Sequence, residues 1–359
     1  MKPNMKCAPK LARLFCMLAL LALAMTLTAC KKQTTQKPPA VTKEPVVKQE
    51  PEAPKPTWPL TGLPLDDNAD ASLLNRRPLS VKIENLRPVR PQMGLNSADI
   101  VYETVAEGGI TRFNCLFDSQ IPDQVGPVRS ARLSDLWIVP QYKGLFFYSG
   151  SNDQVDAGLR ANDMTAVSFN AATSLYQRVK GKSAPHNLFL ALSKAYDKAT
   201  SLGVATQADA PISGPDFGEL SSEVATSSGQ SMELRFSSYS DVKWTWDAAS
   251  GLYLRENDGA AHRDILTGDQ IGASNVVVLW ATYTPQAAKD PAGNGTYDIT
   301  LGGEGKATIF RNGQRIDGTW KADKNTPPTF SDAAGHTITL SPGKTWFEVP
   351  SPDIAITSN

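Results

Sequence analysis

A cysteine at the end of an apolar leader divides this chain into parts with different constraints. Leu27-Thr28-Ala29-Cys30 closes an apolar run that follows four basic residues near the N-terminus. A basic start, a short apolar core and small residues before a cysteine are typical of a bacterial lipoprotein signal. The alternative is an uncleaved transmembrane helix, but the apolar run over residues 14–29 is shorter than the roughly 20 residues that a bilayer requires. We therefore expect residues 1–29 to be cleaved, Cys30 to carry lipid, and the body to lie on the extracytoplasmic face of the cell membrane.

The cysteine count limits how the exported body can be stabilised. Cys7 and Cys16 fall within the leader and Cys30 is assigned to the lipid, so Cys115 is the only thiol left. An exported domain without a disulfide must be stabilised by packing of its core. This is typical of a large folded domain and not of a small disulfide-rich one. Cys115 lies in an apolar, strand-like run, and we expect it to be a buried side chain without reactivity.

Net charge limits the partners of the mature chain. The leader holds four basic residues and no acidic ones, so its removal takes the 36 Lys and Arg to 32, against 36 Asp and Glu. A net charge near −4 argues against nucleic acid, whose binding requires a basic face, and against a polybasic membrane clamp. We expect no nucleic-acid partner, and we expect the lipid on Cys30 to hold the protein at the membrane.

Composition divides the mature chain into four segments. Residues 30–57 contain Lys, Gln, Thr, Pro and Glu with almost no apolar side chains, which is typical of a disordered tether behind the lipidated cysteine. Residues 58–205 mix strand and helix patterns, residues 206–232 are rich in Ser, Ala, Gly and Pro, and residues 233–359 are nearly all strand-like. We predict an α+β protein with a mixed α/β N-terminal domain, a linker, and a small, mostly β C-terminal domain built as a sandwich or barrel.

Hydrophobic periodicity predicts the individual elements. Period-two patterns indicate a half-buried strand at Ser80–Asn85 and further strands at residues 99–104, 111–117 and 144–149. In the C-terminal domain they indicate a hairpin at residues 242–255 and strands at residues 275–283, 297–301, 307–311, 315–320, 336–340 and 345–349. Helical spacing predicts one helix over Ser130–Val139, capped by Ser130, and a second from Asn187, its cap, to Gly203.

The densest polar cluster lies between residues 84 and 132, where charged side chains stand at strand ends beside Gly and Pro turns. If Ser130 caps a helix, the unpaired N–H groups of the first turn favour an anion. Arg112, Arg129 and Arg132 add forked donors that match a phosphate or a carboxylate. The pattern therefore predicts an anion pocket at this position.

The acidic side chains of this region support two other interpretations. Glu84, Glu103 and Glu107 can pair with the arginines in a buried or half-buried network, which is the common fate of buried charge. The same three acids, or His186, are weaker candidates for general acid–base catalysis, for example in glycoside hydrolysis. The sequence leaves the anion pocket, the ion-pair network and the catalytic role open, and it favours a protein that is not an enzyme.

No cofactor or metal site is indicated. His186, His262 and His336 are the only histidines, and no pair of them stands at the spacing of metal ligands. The sequence also lacks a nucleophile elbow and a nucleotide-binding loop in the required setting. The tryptophans and tyrosines of the C-terminal domain are expected mostly in its core, since alternating strands bury them without a ligand.

Several sequence blocks occur in an order that resembles the YerB-like lipoprotein family. They are Arg77-Pro78, Ile83-Glu84-Asn85, Arg90-Pro91-Gln92, Ala98 to Glu103, Glu107 to Arg112, Gly126 to Arg132 and Ala184 to Asn187, with looser matches near residues 275, 318 and 343. The resemblance covers about residues 58–350 and implies a two-part lipoprotein body from Gram-positive-type bacteria. It implies no catalytic residue, because the family has none established. Lys82 departs from the family, which tends to carry an apolar residue there.

Together these observations predict a membrane-anchored, extracytoplasmic lipoprotein that binds an anionic or glycan ligand of the cell envelope, or an envelope protein. The predicted ligand-binding residues are Asn85, Gln92, Arg112, Arg129, Ser130 and Arg132. The alternative is an envelope enzyme that acts on a phosphate-bearing or glycan substrate.

Overall fold

The computed structural model describes residues 55–290 and 293–359. The predicted leader, the lipidation site at Cys30 and most of the tether lie outside the described residues. Residues 54–359 form one compact unit that carries its own hydrophobic core. Within the described part of the chain, no helix is both long enough and apolar enough to cross a membrane.

The first half of the described chain combines strands with short helices. Its strands are β1 (Leu79–Glu84), β2 (Ile100–Val105), β3 (Thr111–Phe117), β4 (Leu145–Tyr148), β5 (Ala166–Ser168), β6 (Tyr176–Arg178) and β7 (Leu188–Leu190). Its α-helices are α1 (Asp135–Gln141), α2 (Asp153–Ala161) and α3 (Ala195–Ser201). Short 3-10 helices occupy Ala71–Asn75, Arg87–Val89, Leu95–Ser97, Glu107–Gly109, Thr173–Leu175 and Leu192–Lys194.

The second half consists of strands and their connections, so the protein as a whole is mostly β. The strands are β8 (Ser227–Ser228), β9 (Ser231–Ser237), β10 (Ser240–Asp247), β11 (Leu252–Asn257), β12 (Ala260–Ala261), β13 (Gly272–Ala273), β14 (Asn275–Leu279), β15 (Thr282–Lys289), β16 (Gly295–Thr300), β17 (Gly303–Arg311), β18 (Gln314–Ala322), β19 (Thr329–Ser331), β20 (Thr345–Val349) and β21 (Ile356–Ser358).

One mixed sheet, which we call the central sheet, runs through both halves. Its strand order is β19-β18-β17-β14-β20-β2-β3-β1-β4-β5, and β8 pairs with β18. β2 pairs in parallel with β20, so backbone hydrogen bonds join the two halves directly. The second half is β-rich as predicted, but the sheet pairing does not divide the described residues into an α/β domain and a separate β domain.

Alternate side chains of the central sheet pack into two different layers. On one face, Val101, Phe113 and Trp346 pack against a second sheet of order β12-β11-β10-β9-β21, to which β13 adds beside β11. On the other face, Tyr102 and Phe347 pack against α1 and against the segment of residues 206–232. Side chains of a strand alternate between the two faces of a sheet. Polar residues that are adjacent in sequence therefore lie in different layers of the protein.

Several predicted elements are confirmed. The strands expected at residues 80–85, 99–104, 111–117 and 144–149 correspond to β1 through β4, and the expected hairpin is β10 and β11. Cys115 is fully buried in β3, and burial raises the pKa of its thiol. The strand expected at residues 275–283 is divided between β14 and β15, and residues 336–340 form isolated bridges instead of a strand.

The burial of β1 differs from the half-buried pattern that its sequence predicts. All six residues are buried, because α1 covers the face expected to meet water. Lys82 lies fully buried on that face, and its Nζ donates to Asp135 Oδ1 at 2.8 Å. Asn114 Nδ2 donates to the same oxygen at 2.9 Å. Burial lowers the pKa of Lys82, and the Asp135 carboxylate is the charge that makes this position tolerable for an ammonium group.

The prediction of a helix capped by Ser130 is wrong. α1 begins at Asp135, and backbone groups of residues 129–131 form hydrogen bonds to β1 and to the segment that follows β4. Arg129 N donates to Lys82 O at 2.8 Å, and Ala131 N donates to the carbonyl of Gly150 at 2.8 Å. These long-range bonds hold the segment extended, so the helix starts only where they end.

The second predicted helix begins as a strand. Leu188 and Leu190 are both buried, β7 pairs with β6, and Leu190 N donates to Val125 O at 2.9 Å. Only the last part of the predicted helix forms α3. Asn187 is not a helix cap, since its Nδ2 donates to the carbonyls of Val179 and Lys182 at 3.2 and 3.0 Å.

Two buried carboxyl groups meet where β2 begins and β3 ends. Asp99 Oδ2 accepts from the backbone N–H groups of Asp118 and Ser119 at 2.6 and 2.8 Å. Burial raises the pKa of Asp99 to about 6, and burial together with Asp99 raises the pKa of Asp118 to about 7 despite the nearby Arg76. Both pKa values lie above the ordinary Asp value, so the folded protein binds these two protons more tightly than the unfolded chain does. The stability gained from the two protons is complete below about pH 4 and is lost as the pH rises through 6 and 7.

We predict that Asp118→Asn flattens the pH dependence of stability. In the parent, the pair lowers the free energy of unfolding between pH 5 and pH 8 by about 4 kcal/mol, of which Asp118 accounts for more than half, whereas an amide at this position cannot ionise. Urea unfolding of residues 54–359 at three pH values measures this, with the exposed Asp66→Asn as a control that should follow the parent. Superimposable pH profiles for Asp118→Asn and the parent would contradict the prediction.

Candidate functional site

The ends of β1 and β3 place an acid beside an arginine. The antiparallel register aligns Glu84 with Arg112, and both residues are buried. Glu107 lies in the turn before β3, where Gly108 and Gly109 have φ values of 66° and 75° that favour glycine. This turn brings Glu107 Oε2 to 3.4 Å from the NH2 group of Arg112.

Two further arginines reach this corner from the segment before α1. Arg129 Nε lies 3.2 Å from Glu84 Oε1. Arg132 forms an ion pair with Glu107 through Nε and NH2. We name Arg112, Arg129 and Arg132 with these two glutamates the arginine cluster. The ion-pair network expected from the sequence is therefore present for two of its three acids.

Ser130 contributes its backbone to the arginine cluster. Its carbonyl accepts from NH1 of Arg112 at 3.3 Å and from NH1 of Arg132 at 3.1 Å. The N-terminus of α1 offers no anion site of the predicted kind, because the Asp135 carboxylate already accepts from Arg132 N at 2.7 Å. An anion at this corner would thus be bound by guanidinium groups and not by a helix N-terminus.

His186 lies at the same corner. Its Nδ1 is 2.9 Å from Glu84 Oε1 and 3.1 Å from Oε2, so His186 and Arg129 share one carboxylate oxygen. The imidazole is 31% exposed. In the neutral ring with its proton on Nδ1, facing Glu84, Nε2 is left as an acceptor. Glu84 therefore orients the imidazole of His186 at the edge of the arginine cluster.

The arginine cluster carries more positive than negative charge. Its three guanidinium groups face two carboxylates, and burial together with Arg132 and Arg129 lowers the pKa of Arg112 to about 9. Burial raises the pKa of Glu107, but the hydrogen bond and charge of Arg132 outweigh it, so the net shift is downward. Glu107 is therefore ionised at neutral pH and unsuited to the role of general acid.

Glu103 does not join the arginine cluster. β2 directs it to the other face of the central sheet, where NH2 of Arg255 donates to Glu103 Oε2 at 2.5 Å and Thr111 Oγ1 donates to Oε1 at 2.6 Å. In the parallel pairing of β2 with β20, Glu103 lies beside Glu348. Burial and the charge of Glu103 raise the pKa of Glu348 well above its ordinary value. This shift favours the neutral form of Glu348, and Arg255 lies near both carboxyl groups.

Aromatic rings enclose the guanidinium of Arg255. Its Cζ lies 5.0 Å from the ring centre of Trp346, 5.7 Å from that of Phe113 and 5.8 Å from that of Trp244. Trp244 Nε1 donates to Glu348 Oε1 at 2.7 Å. All of these side chains are fully buried. The expectation that most aromatic residues of the second half belong to the core is confirmed at these positions.

Asn85 and Gln92, two of the predicted ligand-binding residues, are buried in contact with the second half. Asn85 Nδ2 donates to Thr111 Oγ1 at 2.8 Å and to Asn257 Oδ1 at 3.1 Å. Gln92 Nε2 donates to the Glu84 carbonyl at 2.8 Å. Both amides are thus occupied by protein groups, and neither side chain is exposed to a ligand.

His262 links Gln92 to Arg255. Its Nε2 lies 2.6 Å from Gln92 Oε1, and its Nδ1 lies 2.6 Å from NH1 of Arg255. Burial and the neighbouring cations lower its pKa well below the ordinary value, so the ring is neutral. We name Asn85, Gln92, Glu103, Arg255 and His262 the seam network, because its members come from both halves of the chain.

Sequence reasoning missed Arg255 and the role of His262. A signal for Arg255 was present, because Arg255 stands in phase with the buried positions Tyr253 and Asn257 of β11. A charged residue on the buried side of an alternating strand needs a partner of opposite charge. The packing of the two sheets determines which acidic residue pairs with Arg255. The local sequence does not contain that information.

The three acids considered for catalysis are not gathered around one space. Glu103 lies on the opposite face from Glu84, and Glu84 and Glu107 are each bound by arginine. Among the residues that the structure describes, no group of three His, Cys, Asp or Glu side chains is arranged to hold a metal ion.

Comparison with family models places the chain in a known family. The model described as "Protein of unknown function (DUF3048) N-terminal domain" matches residues 60–205, and the model of the C-terminal domain matches residues 232–347. Together these matches cover well over half of the chain. The chain therefore belongs to this family, and its arginine cluster lies within the N-terminal match.

Relatives from Bacillus subtilis support the same assignment. A protein of strain 168 named "Putative lipoprotein YerB" is 29% identical over 305 residues, which cover 83% of this chain and 87% of that protein. The crystal structure of the YerB protein from Bacillus subtilis matches with a TM-score of 0.72 at 27% identity, and covers 85% of this chain and all of that one. The resemblance to YerB-like lipoproteins is thus confirmed.

Proposed function

We propose that this protein is a lipid-anchored, extracytoplasmic binding protein that takes an anionic group, such as the phosphate of an envelope ligand, at the arginine cluster. The observation that carries the proposal is the excess of guanidinium over carboxylate groups at a corner that solvent can reach. Guanidinium forks match the geometry of phosphate oxygens. A bound anion would offset the uncompensated positive charge.

The ion pairs of the cluster support this role by orienting its donors. Glu84 fixes Arg129, and Glu107 fixes Arg132, while the side chains of the two arginines remain 16% and 20% exposed. A guanidinium held in place loses less conformational entropy when it binds a ligand. Arg112 lies behind them, 6% exposed, and adds charge without needing to move.

Lipid anchoring is supported by the leader and by the relative. The chain carries a basic and apolar leader that ends in small residues before Cys30, and the relative from Bacillus subtilis is named as a lipoprotein. We infer that Cys30 carries the lipid and that the cluster faces the cell envelope, where phosphate-bearing and glycan ligands are available.

A second candidate function is acid–base catalysis on the bound anion. The specific observation is the His186–Glu84 pair, since a carboxylate that orients an imidazole is the arrangement used by general bases. Turnover of a phosphate-bearing substrate that stops in His186→Gln, with binding unchanged, would distinguish this function from binding alone.

We predict that anionic ligands stabilise the protein through the arginine cluster. A ligand at 100 times its Kd adds about 2.7 kcal/mol to the free energy of unfolding, which raises the Tm by several degrees. Thermal unfolding of residues 54–359 with inorganic phosphate, polyphosphate, muropeptides and teichoic-acid fragments measures this shift. We expect at least one phosphate-bearing ligand to raise the Tm of the parent and not that of Arg129→Ala/Arg132→Ala.

The matched control is Arg160→Ala/Arg235→Ala, which removes two exposed arginines elsewhere and should keep the shift. A ligand-induced shift of equal size in all three proteins would show that the cluster is not the site. Absence of any shift in the parent, combined with early melting of Arg129→Ala/Arg132→Ala, would assign the arginines a structural role.

We predict that Cys30 is the lipidated residue. In cells fed a clickable palmitate analogue, the full-length parent should be labelled and Cys30→Ser should not, because a serine cannot form the thioether to lipid. Cys16→Ser changes a cysteine of the leader only and should be labelled like the parent. Labelling that persists in Cys30→Ser would refute the assignment.

A further inference from the structure

A cavity of about 290 Å³ opens where the two halves of the chain meet. Its walls come from Arg87, Arg90 and Pro91 of the first half and from Ala260, Ala261 and Arg263 of the second half. We name this cavity the seam cleft. Its size lies at the lower end of the range for small-molecule sites.

The seam cleft combines small apolar side chains with a positive rim. Pro91, Ala260 and Ala261 offer no polar side-chain groups, whereas Arg87 and Arg263 are exposed at its edge. The one acid in its lining is Asp258, whose Oδ2 already accepts from NH1 of Arg90 at 2.5 Å. The charge of Asp258 also acts on Arg87, and NH1 of Arg263 donates to the Gly268 carbonyl at 3.0 Å. The lining of the cleft thus holds three guanidinium groups and a single carboxylate beside an apolar surface.

The inner wall of the seam cleft is rigid and uncharged. His262 is 3% exposed, and both of its ring nitrogens are engaged by Gln92 and Arg255. Asn257 is held from both sides, since its Oδ1 accepts from Asn85 and its Nδ2 donates to the Asp241 carbonyl at 2.9 Å. A ligand would meet a wall that is already ordered, which lowers the entropic cost of binding.

We propose that the seam cleft binds a small amphiphilic anion: a phosphate, sulfonate or carboxylate carried on a short hydrocarbon body. The anionic group would be bound by Arg87 and Arg263, and the hydrocarbon would cover Pro91, Ala260 and Ala261. This site is separate from the arginine cluster. The side chains of Glu84 and Asn85, adjacent at the end of β1, contact Arg129 and Arg90 respectively, so the two sites lie on different sides of the strand end.

The test uses octyl phosphate below its micellar concentration, titrated into residues 54–359 by calorimetry. We expect one molecule of octyl phosphate to bind the parent at least tenfold more tightly than inorganic phosphate or octanol does, because neither of those supplies both contacts. Arg87→Ala/Arg263→Ala should weaken the binding of octyl phosphate by about tenfold or more, because both guanidinium groups that would bind the phosphate are removed. Arg160→Ala/Arg235→Ala, an exposed pair elsewhere, should leave the affinity unchanged.

Two further variants keep the outcome decisive. Ala261→Leu adds apolar volume at an exposed position of the lining, so it should weaken octyl phosphate while the Tm stays close to that of the parent. Arg129→Ala/Arg132→Ala removes the arginine cluster as a second phosphate site, so it should lose any binding that inorganic phosphate shares and keep the tighter site for octyl phosphate. If that variant loses octyl phosphate and Arg87→Ala/Arg263→Ala keeps it, the probe binds at the arginine cluster and the proposal is wrong. Equal affinity for octyl phosphate in the parent, Ala261→Leu and Arg87→Ala/Arg263→Ala would also overturn it.

Discussion

The ion pair between Arg255 and Glu103 is the interaction on which the rest of the structure depends. It is fully buried between two sheets, and its members come from different halves of the chain. Removing one member of a buried ion pair costs about 3–5 kcal/mol, because the other is left as an uncompensated charge. The pairing of β2 with β20 sets Glu348 beside Glu103, and burial together with the charge of Glu103 raises the pKa of Glu348, which favours a neutral side chain next to the ion pair. The two halves are thus bound to each other by charge as well as by backbone pairing.

This constraint separates two kinds of polar residue that look alike in the sequence. Glu84 and Asn85 are neighbours, yet Glu84 belongs to the arginine cluster and Asn85 belongs to the seam network. The seam network is buried and its hydrogen bonds are made within the protein, which is what a structural core requires. The arginine cluster and the rim of the seam cleft keep excess positive charge at partly exposed positions. We propose ligand binding only at the arginine cluster and the seam cleft, where positive charge remains uncompensated. The buried seam network lies between these two sites.

Much of the strand layout was predictable, and the partners of the charges were not. Alternation of apolar residues identified β1 through β4, because that signal is local. The start of α1 was missed because backbone bonds from Arg129 to Lys82 and from Ala131 to Gly150 decide it, and these contacts are far apart in sequence. Arg112, Arg129 and Arg132 were recognised as a group from their position at strand ends. That Glu103 lies on the opposite face of the central sheet from these arginines depends on strand register and on the layer that covers each face. A single sequence specifies neither.

A double-mutant cycle on the Arg255–Glu103 pair would show whether this ion pair binds the two halves of the chain together. Urea unfolding of residues 54–359 would be compared for the parent, Arg255→Met, Glu103→Gln and the double variant. We expect one transition for the parent, a loss of about 3–5 kcal/mol in each single variant, and a double variant that loses less than the sum, because removing both charges leaves none unpaired. Losses below about 1 kcal/mol that add without coupling, or a parent whose halves unfold in separate transitions, would contradict this expectation.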